Sequence, residues 1–175
     1  ANGISLYSSF SDATDSYGNY SGTSMSAPNL SGSLNLLIEH YEDTHLGTSP
    51  LSATMKALLI HTADEAGNND GPDYKFGWGL MNSQTAAEVI ADDVDNTFRI
   101  QEEELNGNAT HEYTLYTEGV DPAWITIAWT DPRGPALNAS LNPTTAVLVN
   151  DLDMEITFTE DETTYYPYVM DPASP

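Results

Sequence analysis

Apolar residues recur with two different periods along this chain, and the change falls near its middle. From Leu30 onward, Leu34, Leu37, Ile38 and Tyr41 are spaced to share one face of a helix, and Gly32 and Ser33 are small enough to let that helix lie close to a neighbour. Met55, Leu58, Leu59 and Thr62 predict a second helix, with Ser49 as its N-cap, Pro50 at its first position and Gly67 as its stop. Asn82 predicts the cap of a third, shorter helix whose inward positions are Ala86, Val89 and Ile90. After Asp95 the period drops to that of a strand. Thr97–Gln101, Glu112–Thr117, Trp124–Thr130, Ala146–Val149, Met154–Thr159 and Tyr165–Val169 are rich in β-branched and aromatic residues. Turn signals at Asn106-Gly107-Asn108 and Asp131-Pro132-Arg133-Gly134-Pro135 separate some of them. The pattern predicts turns and short extended pieces over residues 1–22, then three helices within a first unit that ends at residue 94, and an antiparallel β-sandwich or jelly roll over 95–175.

Composition narrows the partners. The chain has 175 residues of which 39% are hydrophobic, enough apolar surface for a core of ordinary size, which argues against intrinsic disorder. Four Lys and Arg stand against 27 Asp and Glu, a net charge of −23, and so few cations cannot neutralise a phosphate backbone or an anionic bilayer. No nucleic-acid or membrane partner is expected. The absence of cysteine excludes disulfides, Cys-ligated zinc, iron–sulfur clusters and thiol catalysis. The first residues, Ala1-Asn2-Gly3-Ile4-Ser5, contain neither a basic stretch followed by an apolar run nor an initiator Met, which suggests an excised or processed piece.

The stretch Tyr20-Ser21-Gly22-Thr23-Ser24-Met25-Ser26-Ala27-Pro28 carries the chemistry. A serine in the first turn of a helix has its own N–H unpaired and lies at the positive end of the helix dipole. The same N–H can hold the oxyanion that forms when that serine attacks a carbonyl. Gly22 lets an extended peptide approach closely. A lone serine ahead of a helix is more often an N-cap. The full string Gly22-Thr23-Ser24-Met25-Ser26-Ala27-Pro28, however, closely resembles the nucleophile motif of subtilisin-like serine proteases, with Ser26 replacing a small alanine.

That resemblance continues through Ser49-Pro50, Lys56-Ala57-Leu58-Leu59-Ile60-His61-Thr62-Ala63 and Tyr74-Lys75-Phe76-Gly77-Trp78-Gly79-Leu80-Met81-Asn82, which appear in the family's order. It implies the last part of an α/β catalytic domain with a mostly parallel sheet. It also implies Ser24 as nucleophile and its N–H as half of an oxyanion hole, with Tyr20 on the leaving-group side of the cleft and Thr23 and Met25 flanking the nucleophile. Leu148-Val149-Asn150-Asp151-Leu152-Asp153-Met154-Glu155-Ile156 is similar to a segment of the β-sandwich domain that follows the protease domain in one group of large secreted subtilases. A secreted endopeptidase acting on polypeptide substrates is the function implied.

Hydroxyl attack needs a base and a group that orients it. In subtilases both precede the serine, and here only 23 residues precede Ser24, none of them His. The triad Asp and His are therefore expected outside this chain, in a preceding part of the catalytic domain, and the isolated chain is expected to be inactive. His61 reads as structural, His40 and His45 suit a helix C-terminus, and His111 belongs to the second half. The reaction requires no cofactor. Asn150-Asp151-Leu152-Asp153 groups oxygen ligands that suit calcium, against the plainer reading of a solvated turn. The alternative to the enzyme is a non-catalytic binding or scaffolding module with a remnant serine motif.

Overall fold

A computed structural model describes residues 1–68, 70–95, 98–117, 119, 122–141 and 143–173; Asn69, Thr97, Ser174 and Pro175, all in segments read above, lie outside them. The chain opens with a hairpin in which β1 (Leu6–Ser9) pairs antiparallel with β2 (Tyr17–Tyr20), in the register Leu6↔Tyr20 to Ser9↔Tyr17. Three helices follow: α1 (Thr23–Thr44), α2 (Ser52–His61) and α3 (Ser83–Asp95). Leu37 and Tyr41 of α1, Met55 and Leu58 of α2, and Ala86 and Ile90 of α3 bury one another in a single core. These are positions the helical period singled out, because a stripe at every third and fourth residue covers one side of a helix.

The ends of the helices hold the differences. Asn82 caps α3 as expected, its side chain accepting the Thr85 N–H at 3.1 Å. α2 is not capped by Ser49. Its N-cap is Leu51, which has no side-chain oxygen, while the Ser49 hydroxyl hydrogen bonds the Glu42 carboxylate instead. Nor does α2 run to Gly67. It ends at His61, where the buried Thr62 hydroxyl donates to the Leu58 carbonyl at 2.8 Å and the chain turns into an extended pairing of Asp64 with Leu80. That pairing requires Gly79, which has φ 100° and where a Cβ would lie 2.1 Å from the Asp64 carbonyl oxygen.

The β-rich half differs more. Among the described residues its one ladder joins β3 (Ile156–Thr157) to β4 (Thr164–Tyr165), within the expected Met154–Thr159 and at the edge of the expected Tyr165–Val169. The described parts of Thr97–Gln101, and all of Glu112–Thr117, Trp124–Thr130 and Ala146–Val149, lack ladder hydrogen bonds, and a sandwich is not formed among the described residues. The two ladders that do form are antiparallel, so the predicted parallel sheet is not seen there either. A strand's N–H and C=O groups are satisfied only by a neighbour about 4.8 Å away, and here the alternating apolar rows face solvent: Ile125, Ile127, Val147, Leu148 and Val149 are all exposed. Hydrogen bonds to side chains order these segments instead. The Asp131 carboxylate accepts the Val149 N–H at 2.8 Å, the Asn150 N–H at 2.9 Å and the Asn150 side-chain amide at 3.0 Å. Those bonds, the one from Val149 first, hold Asp131 below the usual carboxylate range.

Candidate active site

Gly22 sets the geometry at the start of α1. It is the N-cap at φ 151°, a backbone that side chains other than glycine's rarely adopt, and its carbonyl accepts the Met25 N–H at 3.0 Å and the Ser26 N–H at 3.2 Å. Its own N–H donates to the Gly3 carbonyl at 2.8 Å. Thr23 and Ser24 are thus the first two helical residues, and no acceptor lies behind the Ser24 N–H among the described residues. The first turn holds no acidic side chain, so the positive end of the dipole is not neutralised there.

The Ser24 side chain is exposed, and its hydroxyl makes no hydrogen bond among the described residues. Four residues on, Pro28 has no N–H to give back to the Ser24 carbonyl. Ser26, the departure from the family string, turns its hydroxyl to the Thr23 carbonyl at 3.4 Å and does not compete for the space in front of Ser24. Thr23 is exposed and Met25 half-buried. Tyr20 closes the β1–β2 hairpin opposite Leu6, with its ring 4.6 Å from Phe10 and more than half exposed. The structure therefore brings Tyr20, Gly22, Thr23, Ser24 and Met25 into one turn, as their proximity in sequence requires.

Two supports of that turn escaped the sequence reading. A Cβ on Gly3 would lie 2.7 Å from the Gly22 carbonyl oxygen and 2.9 Å from the Ser26 Cβ, so only glycine fits beneath the first turn of α1. The Ser21 hydroxyl accepts the Ser5 N–H at 2.9 Å. Both join the first residues of the chain to the helix start across the hairpin. A glycine in a turn-rich stretch was the sole hint of the first, and nothing local marks the second.

No histidine is placed as a base for Ser24. His40 lies 16 residues further along the same helix, about 24 Å at the rise of an α-helix, and its Nε2 is bound to the Ala87 carbonyl of α3 at 3.2 Å. His45 stacks on Tyr41 and pairs with the buried Asp93 of α3 at 3.2 Å. His61 contacts the Thr126 hydroxyl at 3.1 Å, and crowding by surrounding atoms, with Arg99 nearby, lowers its pKa although the residue is exposed by area. His111 pairs with Glu103, whose carboxylate is held below its usual range first by the Tyr113 hydroxyl and then by His111. Each of the four has a structural partner elsewhere. The Asn150 side chain is likewise engaged by Asp131, and among the described residues no three acidic or histidine side chains converge to hold a metal ion.

Comparison with known proteins finds one family and one relative of note. Residues 1–79 match the model of the subtilase family, whose domain is α/β. A protein of Dictyostelium discoideum described as serine protease/ABC transporter B family protein tagA is 26% identical over an alignment 161 residues long that covers 83% of this chain and 9% of that protein. The chain thus spans under a tenth of that relative's length, and the aligned length extends beyond the 79 residues that the family model covers. No solved structure matches it.

Proposed function

From the subtilase character of residues 1–79, we propose that Ser24 is the nucleophile of a serine endopeptidase of the subtilase type. One observation carries this reading: an exposed hydroxyl and an N–H in the first turn of α1, both without a partner among the described residues, at an unneutralised dipole end and within the string Gly22-Thr23-Ser24-Met25-Ser26-Ala27-Pro28. Ser24 attacks a peptide carbonyl of a polypeptide substrate. The oxyanion is held by the Ser24 N–H, the amine leaves past Tyr20, and water releases the acyl group. Thr23 and Met25 flank the nucleophile and Gly22 admits the substrate backbone. No cofactor enters these steps.

The Asp and His of the triad come from a part of the polypeptide outside these 175 residues, so the isolated chain has no measurable peptidase activity. The same part supplies the parallel sheet. Leu34 and Ile38 of α1 and Met55 and Leu59 of α2 line an open, mainly apolar groove of about 400 Å³, which suits a sheet packed against these helices. The second half begins a β-sandwich, and the protein is secreted, as in the group of subtilases that its Leu148–Ile156 segment resembles.

A fluorophosphonate probe tests the assignment. In the complete polypeptide Ser24 is labelled, and the label disappears in Ser24→Ala. A folded complete polypeptide that takes no label would leave the serine motif a remnant and the protein a binding or scaffolding module.

A further inference from the structure

The first turn of α2 lacks a cap of its own, yet two of its polar groups converge on one distant carboxylate. Glu102 Oε1 accepts the Leu51 N–H at 2.8 Å, and the Thr54 hydroxyl hydrogen bonds the same oxygen. Leu51 is the N-cap residue and Thr54 the third helical residue. In an ordinary capping box a Glu at that third position reaches back to the N-cap N–H. Here the position holds Thr54, and its hydroxyl and the N-cap N–H are bridged by a carboxylate 48 and 51 residues away. A negative group at a helix N-terminus also suits the dipole.

The remaining contacts run along the same helix. The Ser52 hydroxyl lies 3.4 Å from the Thr130 hydroxyl at the start of α2, and His61 Nδ1 lies 3.1 Å from the Thr126 hydroxyl at its end. From Ser52 to His61 a helix rises about 13.5 Å, and four extended residues from Thr126 to Thr130 span about 13 Å. The lengths match, so residues 126–130 run antiparallel to α2. Thr126, Ala128 and Trp129 are half-buried, while Ile125, Ile127 and Thr130 are exposed. Burial, and after it the negative charge of Glu102, raises the Tyr41 pKa.

We infer that Glu102 and residues 126–130 form a clamp on α2, with Glu102 completing a capping box from across the chain, so that these two stretches of the second half are an integral brace of the helical unit. Glu102 is a positioning residue. Through Met55 and Leu58 it steadies α2 against Leu37 and Tyr41 of α1, the helix that begins with Ser24. The clamp does not depend on the chemistry assigned to Ser24.

Amide hydrogen exchange on the 175-residue chain tests it. In Glu102→Ala the Leu51 amide exchanges about fivefold to tenfold faster, the loss expected of a helix cap, while the Ala86 and Ile90 amides of α3 keep their protection. Glu102→Gln keeps an oxygen acceptor at the same reach and stays within about twofold of the parent at Leu51. Unchanged Leu51 exchange in Glu102→Ala, or exchange in Glu102→Gln as fast as in the alanine variant, overturns the clamp. Should Glu102→Ala not fold, Glu102→Asp, which shortens the reach, replaces it. Fast Leu51 exchange in Glu102→Asp with parent-like exchange in Glu102→Gln supports the clamp, and any other pattern refutes it.

Discussion

The described residues of the first half, up to 95, and those of the second, from 98 to 173, reach order by opposite means. In the first, α1, α2 and α3 satisfy most of their own backbone groups and meet over Leu37, Tyr41, Met55, Leu58, Ala86 and Ile90. In the second, the regular backbone pairing is one ladder of two residues per strand, and side-chain carboxylates do much of the rest. Asp131 clasps Val149 and Asn150, and Asp161 accepts the Thr163 N–H at 3.0 Å. The difference teaches that a helix closes its hydrogen bonds within the segment that encodes it, whereas a strand depends on partners elsewhere. It also gives the acidic composition a structural part. Glu65, Asp73 and Asp93 in the first half accept backbone N–H groups as well, so many of these carboxylates pair with the main chain in a molecule with few cations.

The largest effect is expected where the backbone of the first half is least tolerant. Gly79→Ala places a methyl group 2.1 Å from a backbone oxygen at φ 100°. Strain and overpacking together should cost about 3 kcal/mol or more and open the Asp64–Leu80 pairing, read by denaturant unfolding. A milder parent-like transition would show that this turn is less constrained than its geometry states.

Side-chain truncation sharpens the contrast between halves. Leu58→Ala in the core should cost about 2–5 kcal/mol. Ile127→Ala, on an exposed row, should cost under about 1 kcal/mol. Equal losses in urea melts would mean that the second half hides a core of its own.

Acidification separates the halves least but along a defined axis. The lowered pKa of His61 favours its neutral ring in the folded state, so stability present above the ordinary 6.5 is lost as pH falls toward the folded value. Asp131 and Asp161 are also lowered, chiefly by backbone N–H donors, and their contribution is lost only as pH falls below the ordinary 3.8. The His61–Thr126 contact should therefore loosen before the Asp131 clasp, and amide shifts of Thr126 and Val149 followed from pH 7 to pH 3, about the range of those groups, give the order. Simultaneous change would place both on one cooperative transition.

Much of the helical half was legible because its information is local. The stripe at Leu37, Tyr41, Met55, Leu58, Ala86 and Ile90 follows from the helical period, the Asn82 cap from its residue type, and the Gly22-to-Pro28 turn from seven contiguous residues. The predicted cap at Ser49 failed because Glu42, in the last turn of α1, takes its hydroxyl, and the stop at Gly67 failed because pairing with Leu80 ends the helix sooner. The strand readings reached further than the ladders because alternation records a preference for a half-buried pleated surface without saying whether a neighbour is there.

What the sequence determined by itself is therefore whatever one segment decides alone: three helices, their buried stripes, and a serine at the first turn of α1 with a glycine before it. Tertiary structure decided whatever needs two distant segments. Gly3 fits under Gly22, Asp131 gathers Val149 and Asn150, and Glu102 caps a helix that begins some fifty residues earlier. The physical reason is the same in each case. A backbone N–H must find an acceptor once it leaves water, and when its own segment offers none, only the fold determines which distant oxygen supplies it.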